Sequence, residues 1–336
     1  MQNRIRKYAS IFPMNEQRFW GEILKSMDMI TEIRIRVGKP ILIYMNHREV
    51  SVNQEGKIIY VPERGKCFSY VELQELINFW CMDSRYAFQE EIKRGFLTIE
   101  GGHRIGVCGE TVIDERGDIR TIKYISSVNI RIAHEIKGVA KNVMEYIYGE
   151  NQINNTLIVS PPGAGKTTLL RDIIRLISTG NEKYVGRNVG IVDERGEIAA
   201  CFQGIPQLDV GTRCDILSNC QKKWGMRMLL RSMAPQVIAV DELGEMEEIE
   251  LLQQMVGNGS SIIATVHGEG IEEVRGRKFL HNIWEQQMVK NILCLSKDDN
   301  RFEIEVFQRK DGEYVAAYGC VNDFYGMSWN RIRNDR

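Results

Sequence analysis

The stretch TLIVSPPGAGKTTLLRDIIRLIS, residues 156–178, decides the fold of the chain. Its first five residues are mostly apolar and β-branched, which favours a buried strand. A glycine-rich loop follows, and then a helix that we predict over Lys166–Ser178. The apolar residues of this helix recur at helical spacing and would pack on a sheet: Leu169, Leu170, Ile173, Ile174 and Ile177. A strand, a glycine-rich loop and a helix in this order are typical of a phosphate-binding loop.

The loop follows the pattern G-x-x-x-x-G-K-[ST] except that Ser160 stands at the first glycine position. Gly163 and Gly165 would let backbone amides approach the phosphates, and Lys166 would neutralise the β- and γ-phosphates of ATP. The Thr167 hydroxyl is expected to bind Mg²⁺. A surface loop without a ligand is the alternative. The predicted nucleotide-binding residues are Ser160, Pro161, Pro162, Gly163, Ala164, Gly165, Lys166, Thr167 and Thr168.

An apolar strand that ends in two carboxylates follows downstream, in QVIAVDELG (236–244). An aspartate in this place holds Mg²⁺ in enzymes with a phosphate-binding loop, and a glutamate can orient and deprotonate the attacking water. We therefore assign Asp241 to the metal and Glu242 to catalysis, together with Lys166. The alternative for Glu242 is a cap on the next helix.

Two further predicted strands end in polar residues, in IVDERGEI (191–198) and SIIATVHGEG (261–270). Parallel strands place their carboxyl ends at one edge of a sheet, so Glu194 and His267 are expected at the same site, as catalytic residues. His267 would sense the γ-phosphate or couple it to the neighbouring subunit. The alternatives are a surface salt-bridge cluster of Glu194 with Arg195 and Glu197, and a buried, hydrogen-bonded histidine without a role.

The second half of the chain contains five short apolar runs without strict alternation, as expected of strands buried on both faces of a parallel sheet. The sequence therefore predicts an α/β fold with a doubly wound, mainly parallel sheet. We expect domain boundaries at 1–140, 141–155 (a linker) and 156–336. The predicted strands are 156–160, 188–194, 236–242, 260–267 and 291–296.

The first half reads as a smaller α/β or α+β domain with mixed helices and strands. A β-hairpin with Gly101-Gly102 in its turn is expected over 95–113, and DERGDI (114–119) reads as an exposed hairpin turn. A second hairpin with Asp311-Gly312 as its turn is expected within 300–336. The other predicted elements are a helix over 17–30, two strands within 32–45, helix over 70–94 and strand over 121–133.

The bulk composition excludes several classes of protein. The net charge is −1, which gives no sign of a nucleic-acid-binding protein. The eight cysteines are scattered, which favours free thiols in a reducing compartment. No window reaches the roughly 18 apolar residues of a membrane span, and no export signal is visible. We therefore expect a cytoplasmic chain without a transmembrane segment of its own, so that any membrane contact would come through a partner or a surface helix.

Five segments carry a resemblance to a known family. PPGAGKTTLLRD (161–172), IVDERGEI (191–198), LLRSMAPQVIAVDELG (229–244) and ATVHGEGIEEV (264–274) together resemble the type II and type IV secretion ATPases. EEIKRGFLTIEGGHRIGVCGE (90–110) is similar to the N-terminal half of a sporulation branch of this superfamily, found in endospore-forming bacteria. The resemblance spans most of the chain.

The resemblance implies a RecA-like P-loop ATPase that forms a homo-hexameric ring, with ATP bound between the two domains. Ser160–Thr168 matches its Walker A segment and Val237–Glu242 its Walker B segment, while Glu194 lies in its Asp box and His267 in its His box. It also implies that the ring docks on the cytoplasmic face of a membrane-embedded, channel-like complex between mother cell and forespore and energises it.

Ring ATPases often complete the site with an arginine that acts in trans, which is worth roughly 10³-fold or more in rate. A solvated basic face is the alternative for each candidate. Two other functions stay open: a RecA-type motor or remodelling ATPase stimulated by nucleic acid, and a scaffold that binds nucleotide without hydrolysis. The candidate arginines are Arg104, Arg131, Arg213, Arg227 and Arg231.

Overall fold

A computed structural model of the chain describes Tyr8 and residues 11–46, 48–298, 301–323 and 329–331. The described chain forms two compact units. One consists of the residues up to His134 together with Ala200–Leu208, and the other of Glu135–Ala199 together with the residues from Asp209 onward.

The N-terminal unit is built on a seven-stranded antiparallel sheet with the strand order β4-β3-β2-β1-β7-β6-β5. The sheet buries one face against a core of aliphatic side chains and stacked aromatic rings. Its strands are β1 (Ile30–Arg36), β2 (Leu42–Met45), β3 (Arg48–Val52), β4 (Ile58–Ile59), β5 (Phe96–Thr98), β6 (Arg104–Ile113) and β7 (Ile119–Arg131).

The hairpin expected over 95–113 is confirmed, because β5 pairs with β6 across a turn in which Gly101 and Gly102 have positive φ. The segment 114–119 is also a hairpin turn, between β6 and β7. There Asp114 Oδ1 accepts hydrogen bonds from the backbone N–H groups of Arg116 and Asp118.

The helices of this unit are shorter than the sequence pattern suggests. The helical run 70–94 is split in two because Met82 and Asp83 adopt left-handed φ angles, which end a helix. The run 17–30 forms one short α-helix and a 3₁₀ turn at Met27–Met29. The α-helices are α1 (Gly21–Lys25), α2 (Tyr70–Trp80) and α3 (Gln89–Lys93).

The second unit contains a nine-stranded sheet with the order β10-β9-β11-β12-β8-β13-β14-β15-β16. The first six strands in this order are parallel, and the last three are antiparallel. The strands are β8 (Thr156–Ser160), β9 (Val189–Asp193), β10 (Cys214–Ser218), β11 (Val237–Val240), β12 (Ser261–His267), β13 (Asn291–Asp298), β14 (Arg301–Lys310), β15 (Glu313–Asp323) and β16 (Trp329–Arg331).

The predicted mainly parallel α/β sheet is therefore confirmed, with all five expected strands in it. Strand β10 was not predicted. The hairpin with Asp311-Gly312 as its turn is also confirmed, as β14 and β15. It extends the parallel sheet beyond β13.

Helices cover the sheet of the second unit. The helix that follows the glycine-rich loop buries the predicted apolar stripe completely or nearly so. The α-helices are α4 (Met144–Ile147), α5 (Lys166–Thr179), α6 (Lys222–Ser232), α7 (Met246–Gly257), α8 (Ile271–Arg275) and α9 (His281–Glu285). Among the described residues, no helix has the length and apolar character needed to cross a bilayer.

Candidate active site

The glycine-rich loop leaves the carboxyl end of the buried strand β8 and turns into α5. Gly163 and Gly165 have φ angles of 75° and 85°, in the left-handed region that favours glycine. Ser160 is still part of the extended strand, so a side chain costs nothing there, and its hydroxyl donates to the Pro161 carbonyl at 2.7 Å. A serine therefore fits where the common pattern has glycine.

The loop delivers Lys166 to the first position of α5, where the positive end of the helix favours an anion. The ammonium group is nearly buried among acceptors. It lies 3.3 Å from Glu242 Oε1 and 3.9 Å from Asp241 Oδ1, both beyond the carboxyl end of β11. The edge of the parallel sheet thus brings the predicted lysine and the predicted acidic pair together.

Asp241 is held by two hydroxyl groups. Thr167 Oγ1 donates to Asp241 Oδ2 at 2.8 Å, and Thr265 Oγ1 donates to Asp241 Oδ1. Thr265 was missed by the sequence analysis. The register of the sheet places Thr265 beside Asp241. Val240 of β11 lies opposite Ala264 of β12, so the residues that follow them, Asp241 and Thr265, lie side by side.

Glu242 has a strained backbone, with a φ angle of +55°. This conformation costs a residue with a side chain about 1 to 2 kcal/mol. Its N–H group donates to Thr265 Oγ1 at 2.8 Å, and its carbonyl accepts a hydrogen bond from Lys222 Nζ. Local strain that the surroundings hold in place is a feature of functional sites.

The side chain of Glu242 is the centre of a charge cluster. Arg195 Nη1 lies 2.7 Å from Glu242 Oε2, and His267 Nε2 lies 2.9 Å from Glu242 Oε1. Burial opposes ionisation of this carboxyl, but the positive charges of Lys166 and Arg195 outweigh it, so the pKa of Glu242 lies below its ordinary value. Glu242 is therefore a carboxylate near neutral pH.

His267 ends β12, as predicted, and touches the cluster through one ring nitrogen. Because a carboxylate is only an acceptor, the 2.9 Å contact with Glu242 requires a proton on His267 Nε2. Lys166 Nζ lies 3.4 Å from the same nitrogen. His267 thus donates to Glu242, and the Lys166 ammonium, which has only donors, is a neighbour of that nitrogen and not its hydrogen-bond partner.

The segment after β9 forms a tight turn around a buried aspartate. Asp193 accepts hydrogen bonds from three successive backbone N–H groups, those of residues 197–199. This turn presents Arg195 to Glu242. Glu194 points to Lys222 instead, with 3.8 Å between Oε2 and Nζ. Glu194 shares a polar cavity with Glu242 and His267 but lies in direct contact with neither Lys166 nor Asp241 in the described contacts.

An apolar cavity of about 300 Å³ lies beside the glycine-rich loop. The Phe302 ring forms one wall, and its edge would meet a Cβ atom added to Gly165 at 3.7 Å. Such a cavity is at the lower end of the size range of small-molecule sites. The other lining residues outside the glycine-rich loop are apolar: Ile136, Val139, Leu169, Leu295 and Ile304. The loop itself contributes Gly163, Ala164, Gly165 and Thr168.

The two candidate arginines of the N-terminal unit differ in their surroundings. The Arg104 guanidinium lies over the Phe96 ring, 3.6 Å from its centroid, which is a cation–π arrangement. Arg131 is exposed at the end of β7.

The three candidates of the second unit also differ. Arg213 Nη1 donates to the carbonyls of Ser178 and Thr179, so it holds the end of α5. Arg227 pairs with Glu247 at 2.8 Å, and Arg231 is exposed on α6.

The sequence matches a known protein family over most of its length. Residues 2–315 match the family "Sporulation stage III, protein AA". The chain is 37% identical over 314 residues to "Stage III sporulation protein AA" of Bacillus subtilis (strain 168), covering 93% of this chain and 97% of that protein.

Solved structures of secretion and pilus ATPases share the fold. The Legionella pneumophila ATPase DotB is similar with a TM-score of 0.51 and 16% identity, covering 93% of this chain and 81% of its own. The pilus retraction motor PilT with bound ADP has a TM-score of 0.55 and 15% identity, covering 94% and 84%. The match over nearly the whole sequence decides the assignment: this chain belongs to the sporulation stage III protein AA family.

Proposed function

We propose that the chain is an ATPase that works as a homo-hexameric ring and energises assembly of, or transport through, a membrane-spanning channel-like complex during endospore formation. One observation carries the enzymatic part of the proposal. Lys166, Thr167, Asp241 and Glu242 meet at one edge of a parallel sheet, at hydrogen-bond or ion-pair distances. The family membership and the secretion-ATPase fold support the biological part.

The residues divide into binding and reacting groups. The backbone amides around Gly163 and Gly165 and the Lys166 ammonium bind the triphosphate. Oxygen donors are what Mg²⁺ prefers, and the Thr167 hydroxyl and Asp241 carboxylate, 2.8 Å apart, fit that preference. When bound, Mg²⁺ supplies positive charge to the β- and γ-phosphates.

Glu242 is the base of the proposed reaction. Its carboxylate takes a proton from the attacking water, whose oxygen bonds to the γ-phosphorus. The bond between the γ-phosphorus and the bridging oxygen breaks, so that ADP and inorganic phosphate result. His267 and Arg195 hold the two carboxylate oxygens of Glu242. Glu194 completes the polar cavity through Lys222.

The apolar cavity beside Gly165 is the proposed binding site of the adenine ring of ATP. Its apolar walls can cover a purine ring.

The test measures phosphate release from ATP with Mg²⁺ by the wild type, Lys166→Ala and Glu242→Gln. We expect turnover by the wild type only, weak nucleotide binding by Lys166→Ala and retained binding by Glu242→Gln. Absence of nucleotide binding by the wild type at millimolar ATP would refute the proposal. Mass in solution, measured with and without ATP and Mg²⁺, tests the ring. Co-purification with a membrane partner supports the channel, whereas stimulation by single-stranded DNA or RNA would favour the nucleic-acid motor.

A further inference from the structure

Lys222 stands in an electrostatically unfavourable position. It is the first residue of α6, where the positive end of the helix repels a cation. Its side chain is also largely withdrawn from water, with 11% exposed. A lysine in such a place needs specific compensation, and the identity of its partners indicates what it is for.

The compensation comes from a buried carboxylate and a backbone carbonyl. Lys222 Nζ lies 3.0 Å from Glu248 Oε1, and the Glu248 side chain is only 5% exposed. The same ammonium group donates to the carbonyl oxygen of Glu242, the residue with the left-handed backbone. Lys222 is thus attached to the main chain of the proposed base.

Glu248 holds the residues that follow. Its Oε2 atom accepts hydrogen bonds from the backbone N–H groups of Gly244, at 2.9 Å, and Glu245, at 3.2 Å. The pair Lys222–Glu248 therefore fixes the main chain on the C-terminal side of Glu242. Thr265 fixes it on the N-terminal side, by accepting from the Glu242 N–H group.

A strained conformation persists only where its surroundings hold it. From this arrangement we infer that Lys222 and Glu248 are positioning residues: they lock the strained backbone at Glu242 and so aim its carboxylate at the attacking water. This inference rests on the proposed ATPase function. The pair lines the polar cavity together with Glu242, whereas the glycine-rich loop lines the apolar cavity, so we expect the pair to act on turnover and not on nucleotide binding.

The test uses a double variant, because a single one leaves a buried charge without its partner and can unfold the chain. Lys222→Met with Glu248→Gln leaves no buried charge unpaired, because the other partner of Lys222, Glu194, is 37% exposed and is solvated by water. The glutamine oxygen can still accept from Gly244 and Glu245. The matched control is Lys223→Met, the next residue on α6, which pairs with Glu247 at 3.5 Å. Each protein is assayed for kcat, for ATP affinity in the absence of turnover and for thermal unfolding.

We expect the double variant to fold and to bind ATP like the wild type, with kcat lowered about 10- to 100-fold, since small misplacement of a reacting group has effects of this size. Lys222→Arg can donate to the same two acceptors and should recover most of the rate. Lys223→Met should have the wild-type kcat.

Two results would overturn the inference. One is a double variant with wild-type kcat, and the other is a loss of rate that is matched by an equal loss of ATP affinity or of folded protein. A wild type that binds no ATP refutes the proposed function itself, so the two failures are told apart by the wild-type measurement.

Discussion

The Thr167 hydroxyl donates to Asp241 at 2.8 Å, which joins the first turn of α5 to the end of β11. If these two oxygens bind Mg²⁺, removing one of them should weaken binding of the magnesium complex and leave metal-free ATP unaffected. We expect Asp241→Asn to lower the affinity for ATP with Mg²⁺ about tenfold or more. Titrations with Mg²⁺ and with a chelator give the comparison. Equal losses under both conditions would contradict the assignment.

Replacing the proposed base should separate binding from chemistry. Glu242→Gln keeps the shape of the side chain but cannot accept the proton, so kcat should fall by about 10²- to 10⁴-fold. ATP affinity should stay within a few-fold of the wild type. Single-turnover phosphate release measures the rate of the chemical step, and equilibrium binding measures the ATP affinity. An active Glu242→Gln protein would exclude Glu242 as the general base.

The pH dependence of turnover should reveal the effect of the Arg195 charge on the pKa of Glu242. The pKa of Glu242 is lowered, so its ionised, active form persists below the ordinary range of a glutamate. Arg195→Met removes one positive charge that lowers this pKa, so the pKa rises and activity is lost at a higher pH as the solution is acidified. The measurement is the acid limb of the kcat profile in both proteins. An unchanged acid limb would mean that another group controls it.

Shortening the aromatic wall of the apolar cavity should weaken binding of the adenine ring and leave binding of the phosphates unchanged. We expect Phe302→Ala to weaken ATP binding about 5- to 50-fold, the effect of about 1 to 2 kcal/mol of lost stacking and apolar contact. Inorganic triphosphate has no base and serves as the control ligand. The affinity for inorganic triphosphate should not change. An equal loss of affinity for both ligands would mean that the adenine ring binds elsewhere.

The start of α2 should make stability depend on pH. Partial burial opposes the charge of Glu72, but the Lys66 ion pair at 2.8 Å and the hydrogen bonds from Ser69 outweigh it and lower its pKa from 4.5 to about 2. A lowered pKa stabilises the folded state above pH 4.5, and this contribution is lost as the pH falls through 2.

Glu72→Gln should therefore destabilise the chain at pH 7 by roughly 0.5 kcal/mol, because water screens a side chain that is about a third exposed. The difference from the wild type should shrink by pH 3. Thermal unfolding at both pH values tests this, with the exposed carboxylate Glu63→Gln as the control. A difference that grows on acidification would reverse the expected sign.

Cysteine alkylation should follow burial. Burial raises the pKa of Cys294 to about 12 and that of Cys81 and Cys214 to about 11, so their reactive thiolate forms are scarce at pH 8. Cys67 and Cys108 are exposed. Iodoacetamide followed by mass spectrometry should modify the two exposed residues first. In denaturant the difference should disappear, and early labelling of Cys294 in the native chain would contradict the fold.

The parallel core of the second unit could be predicted because its strands are short, continuous apolar runs, as at 156–160 and 237–240. Strand β10 escaped prediction because Cys214–Ser218 is half-exposed at the sheet edge and mixes polar with apolar residues. The prediction of one continuous helix over 70–94 was wrong for another reason. Its periodicity continues across Met82 and Asp83, whereas the backbone reverses there.

Within the site, local motifs predicted that Lys166 and Asp241 lie close together, and the two side chains are 3.9 Å apart. Contacts between segments that are distant in the sequence could not be predicted from local motifs. Thr265 and Lys222 contact the acidic pair only because β12 and α6 pack beside β11, and that neighbourhood depends on strand order. The similar sequences DERGDI (114–119) and DERGEI (193–198) both form turns in which an aspartate side chain accepts from later N–H groups.

The segment 200–208 has a practical consequence for anyone who wishes to express the halves of this protein separately. Gln207 supplies the oxygen that accepts from the Gly101 amide, and Phe202 packs on the core formed by earlier residues. A fragment that stops at His134 would leave that amide without its acceptor and part of that core uncovered. A soluble N-terminal half would therefore need residues 200–208 grafted onto its end, and a cut between β9 and β10 would damage both halves at once.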